Sequence, residues 1–524
     1  VSGLDRRAVL GGLGSAGLIL TTRAARAEAS PVARTRHGPV RGYADRGVSA
    51  FKGVAYGADT GPRRFQPPVA PNPWSEPRNA AAYGPASPQA GRGVGPTSED
   101  CLYLNVWTPG LRDGGKRPVM VYIHGGAYSS GSGSAPLYDG ARLARRGDVV
   151  VVTLNHRLNA FGYAYLGRLV PDLADSGNAG QLDLVLALQW VRENIAEFGG
   201  DPGRVTVFGQ SGGGAKIATL MAMPAARGLF HRAATMSGQQ VTASGPGNAT
   251  RRTLAWLDAL KLRPEQAALV RTLPVGRLVE AQAAQDPVLG FGSLYFGPVL
   301  DERSLIRHPF YPDAPAQSAQ VPMIIGNTHD ETRAFLGGDP TNFTVDWAGL
   351  PAKLNQQNMR VDIDPATVIA EYRRLYPAYS ASDVLFAATT ASRSWRAAII
   401  EAEERAKAGT PAFVYQLDWV SPRDGGKYGA PHMADIPLVF DNIAAPGSNA
   451  TGPTAQPMAN AMSEAFAAFA RTGDPNCRAI PQWEPYGLPR RQTMIFDAPP
   501  HMADDPRGPE RRLFEKAPFV QAGT

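Results

Sequence analysis

Apolar residues along this chain fall into short unbroken runs, separated by longer stretches in which they recur every three or four positions. The runs at 102–107, 119–123, 149–154, 205–208, 323–325 and 413–417 are rich in β-branched and aromatic residues and lack polar alternation. Strands covered on both faces have this pattern. Between them, 181–198 reads as an amphipathic helix, with Leu182, Val185, Leu186 and Trp190 on one face. Residues 253–262, 365–375, 391–408 and 458–472 read as further helices, and 37–43 and 50–56 as short strands parted by turns. Strands alternating with crossover helices predict an α/β fold, a central, mostly parallel mixed sheet flanked by helices. Residues 28–524 are expected to form one domain, with 240–320 and 338–395 lying over one end of the sheet as cap or wall.

Residues 1–27 stand apart from that pattern. Arg6-Arg7, an apolar segment of about a dozen residues and a closing Ala25-x-Ala27 predict a cleaved export leader, since the segment is too short for a comfortable membrane span. It resembles a bacterial twin-arginine leader, which places the mature chain in the periplasm or outside the cell, with no stable membrane association after cleavage.

Composition adds bounds. With 43% hydrophobic and 19% charged residues the chain can bury a substantial core, and its 57 glycines and 46 prolines predict many turns and long loops. The formal net charge is +7; the leader's four arginines and one aspartate leave about +4 on the mature chain, modest for its size. No Lys/Arg run with interleaved aromatics occurs, so nucleic-acid binding has little support. Two cysteines make neither a disulfide framework nor a thiolate metal site.

The chemistry gathers at 205–221. A buried strand runs into a turn where Gly209, Ser211 and Gly213 have G-x-S-x-G spacing, and a helical stretch follows. Such a turn strains a serine outward, over a helix N-terminus that favours negative charge. In so glycine-rich a chain the spacing alone equally fits an ordinary strand–helix turn. A second segment shifts the balance: Val119 to Ile123 runs into His124-Gly125-Gly126-Ala127-Tyr128, small residues that free backbone N–H groups, about 85 residues before the serine.

Further segments then carry a resemblance. Ser98-Glu-Asp-Cys-Leu-Tyr-Leu-Asn-Val106, Asn155-His-Arg-Leu-Asn-Ala-Phe-Gly162, Gly177-Asn-Ala-Gly-Gln-Leu-Asp183, Trp190-Val-Arg-Glu-Asn-Ile195 and Phe198-Gly-Gly-Asp-Pro202 accompany the two motifs. Together they are similar to type-B carboxylesterases, the α/β-hydrolase family of bacterial para-nitrobenzyl esterases and cholinesterases. The resemblance implies a cofactor-free serine esterase with a small-molecule ester substrate. Ser211 would be the nucleophile, His432 (in Gly429-Ala-Pro-His-Met) the base, and Glu331 (in Asn327-Thr-His-Asp-Glu) the acid that orients it. Asp330 beside Glu331 is read as a loop hydrogen-bonder, and Thr332 stands where the family usually has glycine. Backbone N–H groups of Gly126, Ala127 and Gly212 would bind the oxyanion. Related chemistry on amides, carbamates or polyesters is the nearest alternative. A non-catalytic cholinesterase-like binding protein is the rival from another class, disfavoured because serine and histidine are both present.

Departures bear on specificity. Relatives commonly have Glu and Ala where this chain has Gln210 and Gly212, so a negative charge is lost beside the nucleophile and the turn gains flexibility. The loop 84–98 lacks an aromatic residue where cholinesterases place a cation-binding tryptophan, so choline esters are poor candidates. The Gly-Gly-Ala motif resembles that of members accepting tertiary alcohols. Gly125, Tyr128, Gln210 and Phe335 are candidate substrate contacts; Phe291, Tyr295 and Phe296 are aromatics that either a gorge or a plain core would use. Cys101 has no upstream partner, so free, mostly buried thiols are expected, and Glu99 and Arg157 read as structural ion-pair members.

Overall fold

The computed structural model describes residues 30–524 apart from 92, 93 and 522, so the expected leader lies outside the described residues. The strands are β1 (Val32–Thr35), β2 (Gly38–Arg41), β3 (Tyr43–Asp45), β4 (Val48–Ala55), β5 (Arg78–Asn79), β6 (Tyr103–Thr108) and β7 (Arg117–Ile123). They continue with β8 (Val150–Leu154), β9 (Gly200–Gln210), β10 (Arg232–Met236), β11 (Met323–Thr328), β12 (Ala412–Leu417), β13 (Gln492–Phe496) and β14 (His501–Asp504). β1, β2 and β5 make a small sheet; the rest form one sheet in the order β14-β13-β12-β11-β10-β9-β7-β8-β6-β4-β3. Pairing is parallel from β8 across to β13 and antiparallel at both margins.

The unbroken apolar runs are explained by what covers each face. Val119, Val121 and Ile123 of β7 and Val205 and Val207 of β9 pack with Leu184, Val191, Ile217 and Leu220. Met120, Tyr122 and Phe208, alternating with them, pack on the other side with Phe440, Met462 and Phe469. Helices Ala179–Asn194 and Gly212–Ala222 thus cover one face, Asp435–Val439 and Ala455–Thr472 the other. Each side chain so enclosed contributes about 1.5–3 kcal/mol. No helix among the described residues is long and apolar enough to cross a membrane.

Beyond the sheet, Trp256, Leu257, Val270, Leu278 and Phe296 build one separate hydrophobic cluster, and Leu350, Val368, Tyr372 and Leu385 another. Differences from the sequence reading are local. β10 has no apolar signature because two of its residues are alanines, yet it is wholly determined by pairing between β9 and β11. The helix expected from 391 starts at Ala381 and passes through a π-helical turn, Thr390–Trp395, before continuing as Arg396–Lys407. The described part of loop 84–98 is tied down rather than loose: Gln89 accepts from Gly131 N at 2.7 Å, and Ser87 from Leu158 N at 3.1 Å. Glu99 pairs with Arg64 (2.5 Å) and Arg157 with Asp183 (2.6 Å), while Cys101 and Cys477 are free thiols.

Candidate active site

The segments that follow β7, β9, β10, β11 and β12 line a cavity of about 440 Å³, where open α/β sheets characteristically place ligands. β9 ends at Gln210; Ser211, at φ 56° and ψ −129°, turns the chain sharply into helix Gly212–Ala222. The turn is held by Ser211 N donating to Met236 O at 2.7 Å. A non-glycine residue at this φ costs on the order of 1–3 kcal/mol, which the packed strands on either side maintain.

β7 runs into Gly125, then Gly126 (φ 85°) and Ala127 (φ 50°), both left-handed. Ser129 N and Ser130 N fold back onto Gly126 O at 3.1 and 3.0 Å. Among the described residues the N–H groups of Gly126 and Ala127 are donated to no backbone carbonyl, and Gly212, opening its helix, has no intrahelical acceptor. The expectation of a looser turn at Gly212 needs correcting. A Cβ there would lie 2.2 Å from Ala127 O, so glycine lets the turn at Ser211 press against the Gly126–Ala127 segment. Behind this segment, the buried Lys216 ammonium donates to His124 O at 3.0 Å.

Glu331 opens a short helix after β11 and is completely buried. Its Oε1 accepts from Thr328 N (2.9 Å) and Asn327 Nδ2 (3.2 Å), and its Oε2 meets His432 Nδ1. Burial works against the carboxylate's charge, but His432 and the hydrogen bond from Thr328 N help outweigh it, holding the group below the usual carboxylate range. Asp330 faces elsewhere: its Oδ2 accepts from Ala430 N at 3.0 Å, and its other oxygen lies 3.3 Å from Arg333. Although burial acts upward, His329, Ala430 and Arg333 bring its carboxyl down to about 2. With Nδ1–H directed to Glu331, Nε2 of His432 is the acceptor, and the Gln210 amide meets it at 3.1 Å. Phe335 packs on the imidazole with ring centroids 4.6 Å apart.

Gly125, Gly126, Ala127, Gln210, Ser211 and Gly212 all line the cavity, as do Phe335 and His432. Tyr128 does not, contrary to expectation: its ring is buried against Tyr163 (5.0 Å) and its hydroxyl donates to Gln240 Oε1 at 3.1 Å. Of the gorge aromatics, Tyr295 lines the cavity, Phe296 is buried beside Trp256, and Phe291 lies beneath Arg360. The sequence reading missed Arg360, Arg393 and the C-terminal residues 519–521, all of which line the cavity. Nothing local marks them; Val361 bridging to Phe519 and the π-helical turn bring them there.

The chain matches the model of the carboxylesterase family over residues 29–513. It is 34% identical over 502 residues to the para-nitrobenzyl esterase of Bacillus subtilis, covering 92% of this chain and 98% of that protein. It is 34% identical over 491 residues to the phenmedipham hydrolase of Pseudarthrobacter oxydans, covering 86% of this chain and 92% of that one. Among solved structures, a carboxylesterase of Geobacillus stearothermophilus superposes with a TM-score of 0.82 at 37% identity, covering 92% of this chain and 99% of that chain.

Proposed function

The chain belongs to the carboxylesterase family and is a carboxylic ester hydrolase, and on that premise we propose that it works through an acyl-enzyme on Ser211. In this reading the Ser211 hydroxyl displaces the Gln210 amide from Nε2 of His432, gives up its proton there, and attacks the ester carbonyl. The N–H groups of Gly126, Ala127 and Gly212 receive the oxyanion. His432 then returns the proton to the leaving alcohol, and a water activated the same way releases the acid. Glu331, buried and already hydrogen-bonded twice by its own loop, holds the ring and stabilises the imidazolium without taking the proton. The observation that carries this reading is that the strained serine, the Glu331-bonded histidine and the unspent N–H groups open into one cavity.

The test is hydrolysis of para-nitrophenyl esters from acetate upward by the wild type beside Ser211→Ala. Turnover in the wild type should fall at least ~10³-fold in the variant. A variant that keeps the wild-type rate would refute the assignment of Ser211. Export through the leader is part of the same proposal: cell fractionation should find activity outside the cytoplasm, and replacing Arg6 and Arg7 by lysine should retain it inside.

A further inference from the structure

Two guanidinium groups, those of Arg360 and Arg393, line the catalytic cavity, and the lining residues include no aspartate or glutamate. Arg360 closes a short helix at φ 61°, in the left-handed region, and its carbonyl accepts from Val520 N at 3.1 Å. That bond ties it to the C-terminal segment on the cavity wall. Arg393 projects from the π-helical turn Thr390–Trp395, a geometry that recurs at functional sites because the added residue redirects side chains. Each arginine thus stands on a departure from regular backbone.

Among the described residues neither cation is neutralised. Among the described residues no carboxylate acts on Arg360, whose Nη1 is buried and meets no acceptor. Among the described residues the one carboxylate acting on Arg393 is Glu331, weaker than burial, Arg360 or Tyr295, and that carboxylate is taken up by His432 and Thr328 N. The two guanidiniums instead have aromatic company: Arg360 over Phe291 at 5.6 Å and Arg393 over Phe335 at 4.7 Å. Phe335 is the ring that packs on His432, so Arg393 stands one ring away from the base. Burial and the proximity of Arg360 push Arg393 down to about 10, the direction expected of a cation lacking its counter-charge. Gln210, on the same cavity wall, is neutral and offers these cations no counter-charge.

We propose that the cavity selects esters that carry a free carboxylate, which Arg360 and Arg393 bind while the ester carbonyl lies at Ser211. This rests on the reading of the cavity as the esterase site. A planar guanidinium suits such a group by paired, charge-assisted hydrogen bonds, and the water-poor wall strengthens them. The hydrolysis itself is unchanged; the carboxylate fixes which esters reach it.

The experiment compares matched pairs of esters. One pair is mono-para-nitrophenyl glutarate and its neutral methyl-capped counterpart, with the charge on the acyl side. The other is para-acetoxybenzoate and its methyl ester, with the charge on the alcohol side. The wild type should favour the anionic member of at least one pair by about tenfold or more in kcat/KM, and raising salt from about 0.02 to about 0.5 M should shrink that preference. The anionic-to-neutral ratio should fall about tenfold in Arg393→Gln and in Arg360→Asn, the latter chosen because asparagine tolerates the left-handed backbone. A ratio within one enzyme is independent of how much of a variant folds, and the salt series needs no variant. A wild type preferring the neutral member of both pairs, or a ratio unmoved in both variants, overturns the proposal while leaving the esterase reading intact. Absence of turnover on all four esters and on para-nitrophenyl acetate would instead remove the esterase reading on which it stands.

Discussion

Lys216 is a fully buried ammonium on the elbow helix, with the His124 carbonyl at 3.0 Å as its hydrogen-bond acceptor and the Tyr128 ring 5.7 Å away. Burial drives its pKa from an ordinary 10.5 down to about 7. At ~1.36 kcal/mol for each pKa unit, keeping this lysine charged in the fold costs about 5 kcal/mol. Because the folded value is the lower one, the whole cost is present below pH 7. Above that the unfolded chain binds the extra proton, so stability rises with pH up to about 10.5. The neighbours do not blur this window. Burial, then the lysine itself, pushes His124 down to about 3, burial also lowers His156 well below its usual value, and Tyr128 is raised. Lys216→Met removes the charge and leaves the His124 carbonyl without its donor, which returns about 1–3 kcal/mol. The variant should therefore exceed the wild type by about 2–4 kcal/mol at pH 6 and match it near pH 9, a difference of about 3 kcal/mol that does not depend on the carbonyl. Guanidinium unfolding followed by tryptophan fluorescence at the two pH values measures it. A stability change of equal size at both, or a variant weaker at pH 6, would refute the reasoning. Activity should move the other way, since His124 O directly precedes Gly125 and the proposed donors Gly126 and Ala127: kcat should drop about tenfold.

Two substitutions test the geometry nearer the serine. Glu331→Gln should lower kcat/KM by about 10⁴, the scale on which removing a triad carboxylate acts, whereas Asp330→Asn, which keeps an acceptor for Ala430 N, should change it only a few-fold; steady-state kinetics on one para-nitrophenyl ester separates them. Gly238→Ala would place a Cβ 1.6 Å from Ser211 O, so the elbow must shift; activity should fall by about 10² or more, read together with thermal unfolding, and a fully active variant would contradict the packing described.

What could be read from the sequence followed the range of the forces involved. β7, β8 and β12 were visible because a strand buried on both faces must be apolar throughout. Helix Pro365–Leu375 was visible through its own amphipathic period. β10 was not, because alanines say nothing until β9 and β11 stand on either side of them. The seryl turn and oxyanion segment were legible because each is a local backbone requirement written in glycines. The partnership of Glu331 with His432, 101 residues apart, was legible only through family resemblance, since no local rule connects them. The cavity wall was the least legible part, as Tyr128 shows: an aromatic beside Gly125, Gly126 and Ala127 turns out to be held in the core by Gln240 and Tyr163.

The positions that escaped the sequence share a physical trait with those that did not. Ala127, Ser211, Ser237, Arg360 and Met433 all line the cavity and all have positive φ without being glycine. Arg393 stands on the π-helical turn beside them. Such backbone costs on the order of 1–3 kcal/mol per residue and survives only where surrounding packing over-determines it. Three of the five have an evident reason: Ser211 carries the hydroxyl, Ala127 aims an N–H, and Met433 follows the histidine in its loop. Arg360 ends its short helix in the left-handed region and its carbonyl pairs with Val520 N, but its side chain finds no carboxylate among the described residues and leaves Nη1 unsatisfied. A cation delivered to this cavity without a counter-charge has only the Phe291 ring beside it, and a ligand of opposite charge is what offsets its burial.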